Sequence, residues 1–219
     1  MKGLFITFEG PDGAGKTTQI KKLAEYLENK GIPYIHTREP GGTRISDKIR
    51  SLILDPANEE MVNETEVLLY AASRSQHVKE KILPALNEGK IVLCDRFVDA
   101  SIAYQGYGLG ISVEQVKEIN RFATGGLAAD RSYLIDLPVE EGRNRMAARY
   151  ETQTNGQGLD RIEQKHADYH QTVRQAFLKL AEENANRIQL INGNRNAEMI
   201  FEEIKEDFET FYINTFNKE

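Results

Sequence analysis

The chain has 219 residues, enough for a sizeable core, and its 40% hydrophobic and 28% charged shares are ordinary for a globular protein. A net charge of −6 argues against a general nucleic-acid coat or a membrane-surface binder, so arginines that meet phosphate have to be gathered locally. The lone cysteine, Cys94, excludes a disulfide framework and a multi-cysteine zinc site. With no signal-peptide pattern and no apolar stretch long enough to span a bilayer, a cytoplasmic location is the expectation.

The opening run, residues 3–9, reads as a short buried strand. It leads into Gly10-Pro11-Asp12-Gly13-Ala14-Gly15-Lys16-Thr17, which fits the phosphate-binding loop pattern G-x-x-x-x-G-K-[ST]. Gly10, Gly13 and Gly15 let the backbone curl so that successive N–H groups face one anion. Lys16 is a mobile charge for the β- and γ-phosphates, and the Thr17 hydroxyl is suited to Mg²⁺. Ile20, Leu23, Ala24 and Leu27 recur with helical spacing, so a helix is expected to start near Gly15 and present its N-terminus to the phosphates. This arrangement binds a nucleoside triphosphate.

A second strand, residues 34–37, is followed by Arg38-Glu39-Pro40-Gly41-Gly42-Thr43 at the edge where open α/β sheets bind ligands. A long helix is expected over 64–87, with Pro84 kinking it or loosening its last turn. Tyr70 and Arg74 share one of its faces. They form either a base-recognition platform or a packed tyrosine under a solvated arginine, and spacing alone favours the second.

The strand Ile91-Val92-Leu93-Cys94 ends in Asp95-Arg96, an acid placed as in a Walker-B strand to orient Mg²⁺. Cys94 reads as inert. Residues 99–108 are rich in groups that hydrogen-bond a base or sugar, among them Ser101, Tyr104 and Gln105. Another strand covers 131–136. Arg143, Arg145 and Arg149 then precede a polar stretch, residues 152–158, which together suit a lid over 143–161. A last strand at 187–191 and a helix capped by Asn196 complete the chain, and His166 and His170 read as ordinary polar helix residues. Strands and helices alternate throughout without repeat or linker, which predicts one α/β domain over 1–219 with a mostly parallel sheet.

Taken together, Phe8-Glu9-Gly10 through Thr18, Arg38 to Gly42, Tyr70 to Arg74, Asp95-Arg96-Phe97, Ser101 with Ala103 to Gly106, and Leu159 to Glu163 resemble the thymidylate kinase family of nucleoside monophosphate kinases. The resemblance implies a P-loop fold with a five-stranded parallel sheet flanked by helices, a helix-packed homodimer, and a role in dTTP synthesis. It implies transfer of phosphate from ATP, with Mg²⁺, to dTMP. Residues 10–18 would hold ATP, with Thr17 and Asp95 serving the metal. Asp12, Arg38, Tyr70, Arg74, Arg96, Ser101, Tyr104 and Gln105 would hold dTMP, Tyr70 stacking on the base, Arg74 and Gln105 reading its edge and Tyr104 lying under the sugar. Lys16, Asp95, Arg96 and Arg149 would carry the chemistry. The P-loop has no arginine between 11 and 14, so the transition-state arginine is expected in the lid, with Arg149 the best match.

Two rival readings follow from the same motifs. A superfamily kinase acting on another nucleotide or a deoxynucleoside is one, although Arg38 and Arg96 favour an acceptor that already carries a phosphate. A GTPase switch is the other, and it fails because Asn29-Lys30 continues as Gly31-Ile32 and not as the guanine motif Asn-Lys-x-Asp.

Overall fold

The computed structural model describes residues 3–153 and 159–216, with the side chains of 149 and 151–153 outside that description. Five strands form a wholly parallel sheet in the order β2-β3-β1-β4-β5. They are β1 (Phe5–Glu9), β2 (Tyr34–Arg38), β3 (Ile91–Asp95), β4 (Arg131–Asp136) and β5 (Ile188–Asn192). β1 is buried at every position, as befits a central parallel strand covered on both faces.

Strand periodicity sorts the core into two layers. Leu4, Ile6 and Phe8 join Leu93, Tyr133 and Ile135 beneath α1 (Lys16–Asn29) and α9 (Ala197–Phe216). Phe5, Val92 and Cys94 point the other way, against Val78, Ile82 and Leu86. Glu9 is in phase with Phe5, so its carboxyl enters that second layer. Cys94 is fully buried and burial pushes its thiol well up, which makes it inert as read.

The register aligns the carboxyl ends that matter. Phe8 pairs with Asp95, and Asp95 with Arg38, so three strands deliver Glu9-Gly10, Asp95-Arg96 and Arg38-Glu39 to one edge. β1 lies where the strand order reverses, the crevice in which such sheets bind ligands.

The helix expected over 64–87 is present as α3 (Asn63–His77), a π turn (Val78–Ile82) and α4 (Leu83–Asn87). The loosening attributed to Pro84 takes the form of that π turn. It gives room to a ring that would otherwise crowd the carbonyl four residues earlier. A second π segment, Ile102–Gly108, continues the single turn α5 (Val98–Ser101) and carries Tyr104 and Gln105. No sequence period marks this segment.

The remaining helices are α2 (Arg44–Leu54), α6 (Val113–Thr124), α7 (Val139–Gln153) and α8 (Ala167–Glu183). Asn196 caps α9 as expected, its Oδ1 accepting the Met199 N–H at 2.8 Å. His170 lies in α8, as the reading of a polar helix residue has it. It is buried, its Nε2 has no partner among the described residues, and burial lowers its pKa. No described helix is long and apolar enough to cross a membrane.

Candidate active site

The P-loop connects the end of β1 to the start of α1. Gly10 has φ 128°, and a β-carbon there would lie 2.3 Å from the Ile135 carbonyl oxygen. Gly13, with φ 79°, would meet the Gly142 carbonyl at 2.5 Å. Both positions therefore exclude any side chain, and the loop closes against β4 and α7.

Lys16 is buried and its Nζ donates to the carbonyls of Gly10 (3.1 Å) and Pro11 (2.9 Å). Burial, reinforced by Arg96, lowers its pKa to about 8. A phosphate ligand favours the charged amine, so triphosphate binding above pH 8 has to draw a proton onto Lys16. Calorimetry of ATP binding in buffers of different ionisation enthalpy should show proton uptake that is larger at pH 9 than at pH 7.5. Equal uptake at both would assign Lys16 its ordinary pKa.

Thr17 Oγ1 donates to Asp95 Oδ2 at 2.9 Å, which joins the start of α1 to the end of β3. A hydroxyl and a carboxylate side by side form an oxygen-only pair suited to Mg²⁺, a cation that keeps several of its waters.

Arg96 sits at the centre of the site. Its φ of 68° is a left-handed conformation, uncommon without glycine. The Phe97 N–H that follows is held by Glu9 Oε1 at 2.8 Å, which fixes this turn. The guanidinium donates to Gly10 O (3.0 Å), Asp12 Oδ1 (2.5 Å) and Tyr104 Oη (3.0 Å), and lies 4.8 Å from the centre of the Tyr104 ring. Tyr104 Oη in turn donates to Asp12 Oδ2 at 2.9 Å. Burial alone would raise the Asp12 pKa, but Arg96, Lys16 and the Tyr104 hydroxyl hold it well below the usual carboxylate range.

Glu9 behaves in the opposite way. Burial, with Asp99 nearby, raises its pKa to about 8 against the pull of Arg96, Arg74 and Lys16, and its Oε2 is enclosed without a partner among the described residues. Between the ordinary value and pH 8 the folded state keeps a proton that the unfolded state has released. Glu9 therefore costs more stability as pH rises through this window. Glu9→Gln should gain on the parent in urea-unfolding free energy from pH 5 to pH 8. A constant difference would show that Glu9 does not retain its proton.

The acceptor-side residues come from β2, α3 and the second π segment. Arg74 corrects the solvated-arginine reading, being only 2% exposed. Its Nε donates to Glu39 Oε2 at 2.6 Å, and its two terminal nitrogens reach Ser101 Oγ (2.8 Å), Asn120 Oδ1 and the Phe97 carbonyl (2.9 Å). Four of its five N–H groups are thus committed, leaving one. The counter-charge from Glu39, which also accepts from His77 Nδ1 at 2.9 Å, is what permits this burial. Arg38 is half-exposed and pairs with Asp47 at 3.1 Å.

A cavity of about 570 Å³ joins the two sides, lined by P-loop residues 12–18 together with Arg38, Tyr70, Arg74, Arg96, Ser101, Tyr104 and Gln105. Residues not singled out from the sequence share it or support it. Arg50 lines the cavity and donates to the Pro40 carbonyl at 3.0 Å. Glu66 accepts from Gln105, and Asp160 caps its own turn through the N–H groups of Ile162 and Glu163. The lone charges Arg50 and Glu66 carried no motif, while the Asp160 segment was matched without a role.

Among the α7 arginines, Arg145 lines the cavity and donates to Glu141 (3.1 Å) and the Gly193 carbonyl (3.2 Å), whereas Arg143 is exposed. Arg149 belongs to α7, but its side chain lies outside the described residues, as do residues 154–158 of the expected lid.

A parallel α/β sheet whose central strand runs into a phosphate loop, with arginines converging on a second subsite of the same cavity, defines the P-loop nucleotide kinases. The family model described as thymidylate kinase matches residues 8–204. A thymidylate kinase of Exiguobacterium sibiricum is 54% identical over 211 residues, covering 96% of each chain. One of Enterococcus faecalis is 48% identical over 203 residues, covering 92% of this chain and 93% of the relative. The crystal structure of thymidylate kinase from Ehrlichia chaffeensis superposes with a TM-score of 0.75 at 31% identity, covering 95% of this chain and 99% of the other. This chain belongs to the thymidylate kinase family.

Proposed function

We propose that the chain transfers the γ-phosphoryl group of ATP to the 5′-phosphate of dTMP, giving dTDP and ADP. The observation that carries this reading is the cavity shared by the P-loop and the arginine-rich acceptor side. An oxygen of the acceptor phosphate forms the new bond to the γ-phosphorus. The bond to the β–γ bridging oxygen breaks, and ADP leaves with that oxygen. Little covalent chemistry falls to the protein, whose work is positioning and charge neutralisation. Lys16 and the P-loop N–H groups cradle the donor phosphates. Arg96, fixed by Gly10, Asp12 and Tyr104, stands between donor and acceptor. Arg38 serves the acceptor phosphate, and Tyr70 offers a ring to the base. Thr17 and Asp95 would hold Mg²⁺, whose charge when bound offsets that of the phosphates.

A coupled ADP-release assay across nucleoside monophosphates, with Mg²⁺ and with excess chelator, tests the reading. Turnover should be greatest with dTMP and vanish without free Mg²⁺. Preference for another monophosphate would overturn the substrate assignment.

Sugar selectivity follows from Tyr104. Its ring is pinned by the hydroxyl bonds to Asp12 and Arg96 and packed edge-on against Tyr169 and Phe177. A rigid wall excludes an added 2′-hydroxyl better than weaker attraction does, since attraction alone gives discrimination of roughly 10². Tyr104→Ala should narrow the ratio of kcat/KM for dUMP over UMP, while Tyr104→Phe retains most of it. An equal loss on both substrates in the alanine variant would make the ring packing only.

The family resemblance also supports a homodimer. Leu68 on α3 and Phe122 on α6 are exposed apolar residues on helices that pack together, and they are suited to such a contact. Light scattering on the parent and on a Leu68→Ser/Phe122→Ser variant tests it.

A further inference from the structure

The structure assigns to Glu66 the task of setting which end of the Gln105 amide faces the base. The assignment rests on the dTMP kinase reading and deepens it. Glu66 lies in the first turn of α3, is 1% exposed, and is held from two directions. Arg161 Nη2 donates to its Oε2 at 2.7 Å, and Gln105 Nε2 donates to its Oε1 at 3.1 Å. Arg161 is itself anchored at the end of α2, with Nε on the Ile53 carbonyl at 2.8 Å and its backbone N–H on the Leu54 carbonyl at 3.1 Å.

The polarity of this chain of contacts is forced. A guanidinium only donates, and an ionised carboxylate only accepts. Glu66 paired with Arg161 therefore has to receive the amide nitrogen of Gln105, never its oxygen. Gln105 Oε1 accepts no hydrogen bond among the described residues. Nor is it among the enclosed unpartnered atoms, which are Glu9 Oε2, Gln19 Oε1 and His170 Nε2. Gln105 lines the cavity, so this oxygen is the group it offers there. A carbonyl oxygen selects a ring N–H, which thymine and uracil carry at N3 and cytosine lacks. Arg74 also lines the cavity, and one of its N–H groups has no acceptor among the described residues, so a carbonyl on the base suits it. Acceptor beside donor is the complement of a thymine edge.

Glu66→Gln inverts the relay at almost constant volume. Arg161 still donates, so the introduced amide must turn its oxygen to Arg161 and its NH₂ to Gln105. Gln105 then accepts through Oε1 and presents its own NH₂ to the base, opposing the N3–H of thymine and matching the bare N3 of cytosine.

The experiment compares kcat/KM for dTMP and 5-methyl-dCMP, which share the 5-methyl group and differ only along the reading edge. The parent should favour dTMP strongly. In E66Q the ratio should narrow by on the order of tenfold or more, through loss on dTMP expressed mainly in its KM, with the KM for ATP unchanged. A merely structural role would lower both substrates together and leave the ratio intact, and that result overturns the proposal. Gln105→Met separates this failure from failure of the parent reading. If Q105M narrows the ratio and E66Q does not, Gln105 reads the base without Glu66. If neither narrows it, base reading by Gln105 fails as well. Should E66Q not fold, E66M carries the test, because an apolar neighbour frees the amide to turn and must also narrow the ratio; an unchanged ratio there overturns the assignment.

Discussion

Lys16→Ala is expected to lower kcat for dTMP phosphorylation by on the order of 10³ or more while leaving the fold intact. Removing a single transition-state donor from a water-poor site costs roughly 10²–10³ in rate. Lys16 adds a full positive charge to that role, in a loop whose other donors to the phosphates are backbone N–H groups. The fold should survive because the lysine is not a core packing residue. Its Nζ contacts are two carbonyls, and Gly10 O keeps its bond from Arg96 at 3.0 Å when Lys16 is gone. Deleting an amine whose pKa is already lowered to about 8 also relieves a desolvated charge. Circular dichroism and thermal unfolding should match the parent, and rapid-quench single turnovers should show the chemical step slowed. Normal turnover in the variant would remove Lys16 from the phosphate site.

The chain order of strands, the phosphate loop and the acid closing β3 were legible because each rests on local rules. A buried parallel strand reads as an apolar run, a helix as a repeated stripe, and a phosphate loop as glycines at fixed spacing. Arg74 was not legible in the same way. Spacing places it beside Tyr70, but whether it is solvated or buried depends on Glu39, a residue 35 positions away that only the tertiary fold brings near. The same holds for Glu66, whose two partners, Gln105 and Arg161, come from distant segments. The π segment over 102–108 left no period to detect, although it is what aims Tyr104 and Gln105 at the cavity. Charged residues that act through long-range pairing carry no local signature, and in this site they form much of the supporting scaffold.

Arg149→Ala is expected to reduce kcat by roughly 10³–10⁵, the range for a transition-state arginine in phosphoryl transfer, with dTMP binding nearly unchanged. The family resemblance implies a transition-state arginine in the lid wherever the P-loop lacks one. Residues 11–14 are Pro, Asp, Gly and Ala, so the P-loop has no guanidinium to offer. Arg96 is committed to Gly10, Asp12 and Tyr104. Helix α7 brings the remaining candidates past the P-loop, where Gly142 packs against Gly13. Within it Arg143 is exposed, and Arg145 is tied to Glu141 and to the Gly193 carbonyl. Position 149 is one helical turn beyond Arg145, and a residue four further along shares its face. The resemblance gives the arginine at that position the transition-state role. A finger of this kind shows itself in kcat and spares binding, because it meets charge that develops during transfer. Arg145→Ala should instead raise the KM for ATP with a smaller change in kcat. The decisive measurement is the split between kcat and dTMP affinity in the two variants. If Arg149→Ala weakens dTMP binding and leaves kcat alone, the transition-state role passes to Arg145 or Arg143.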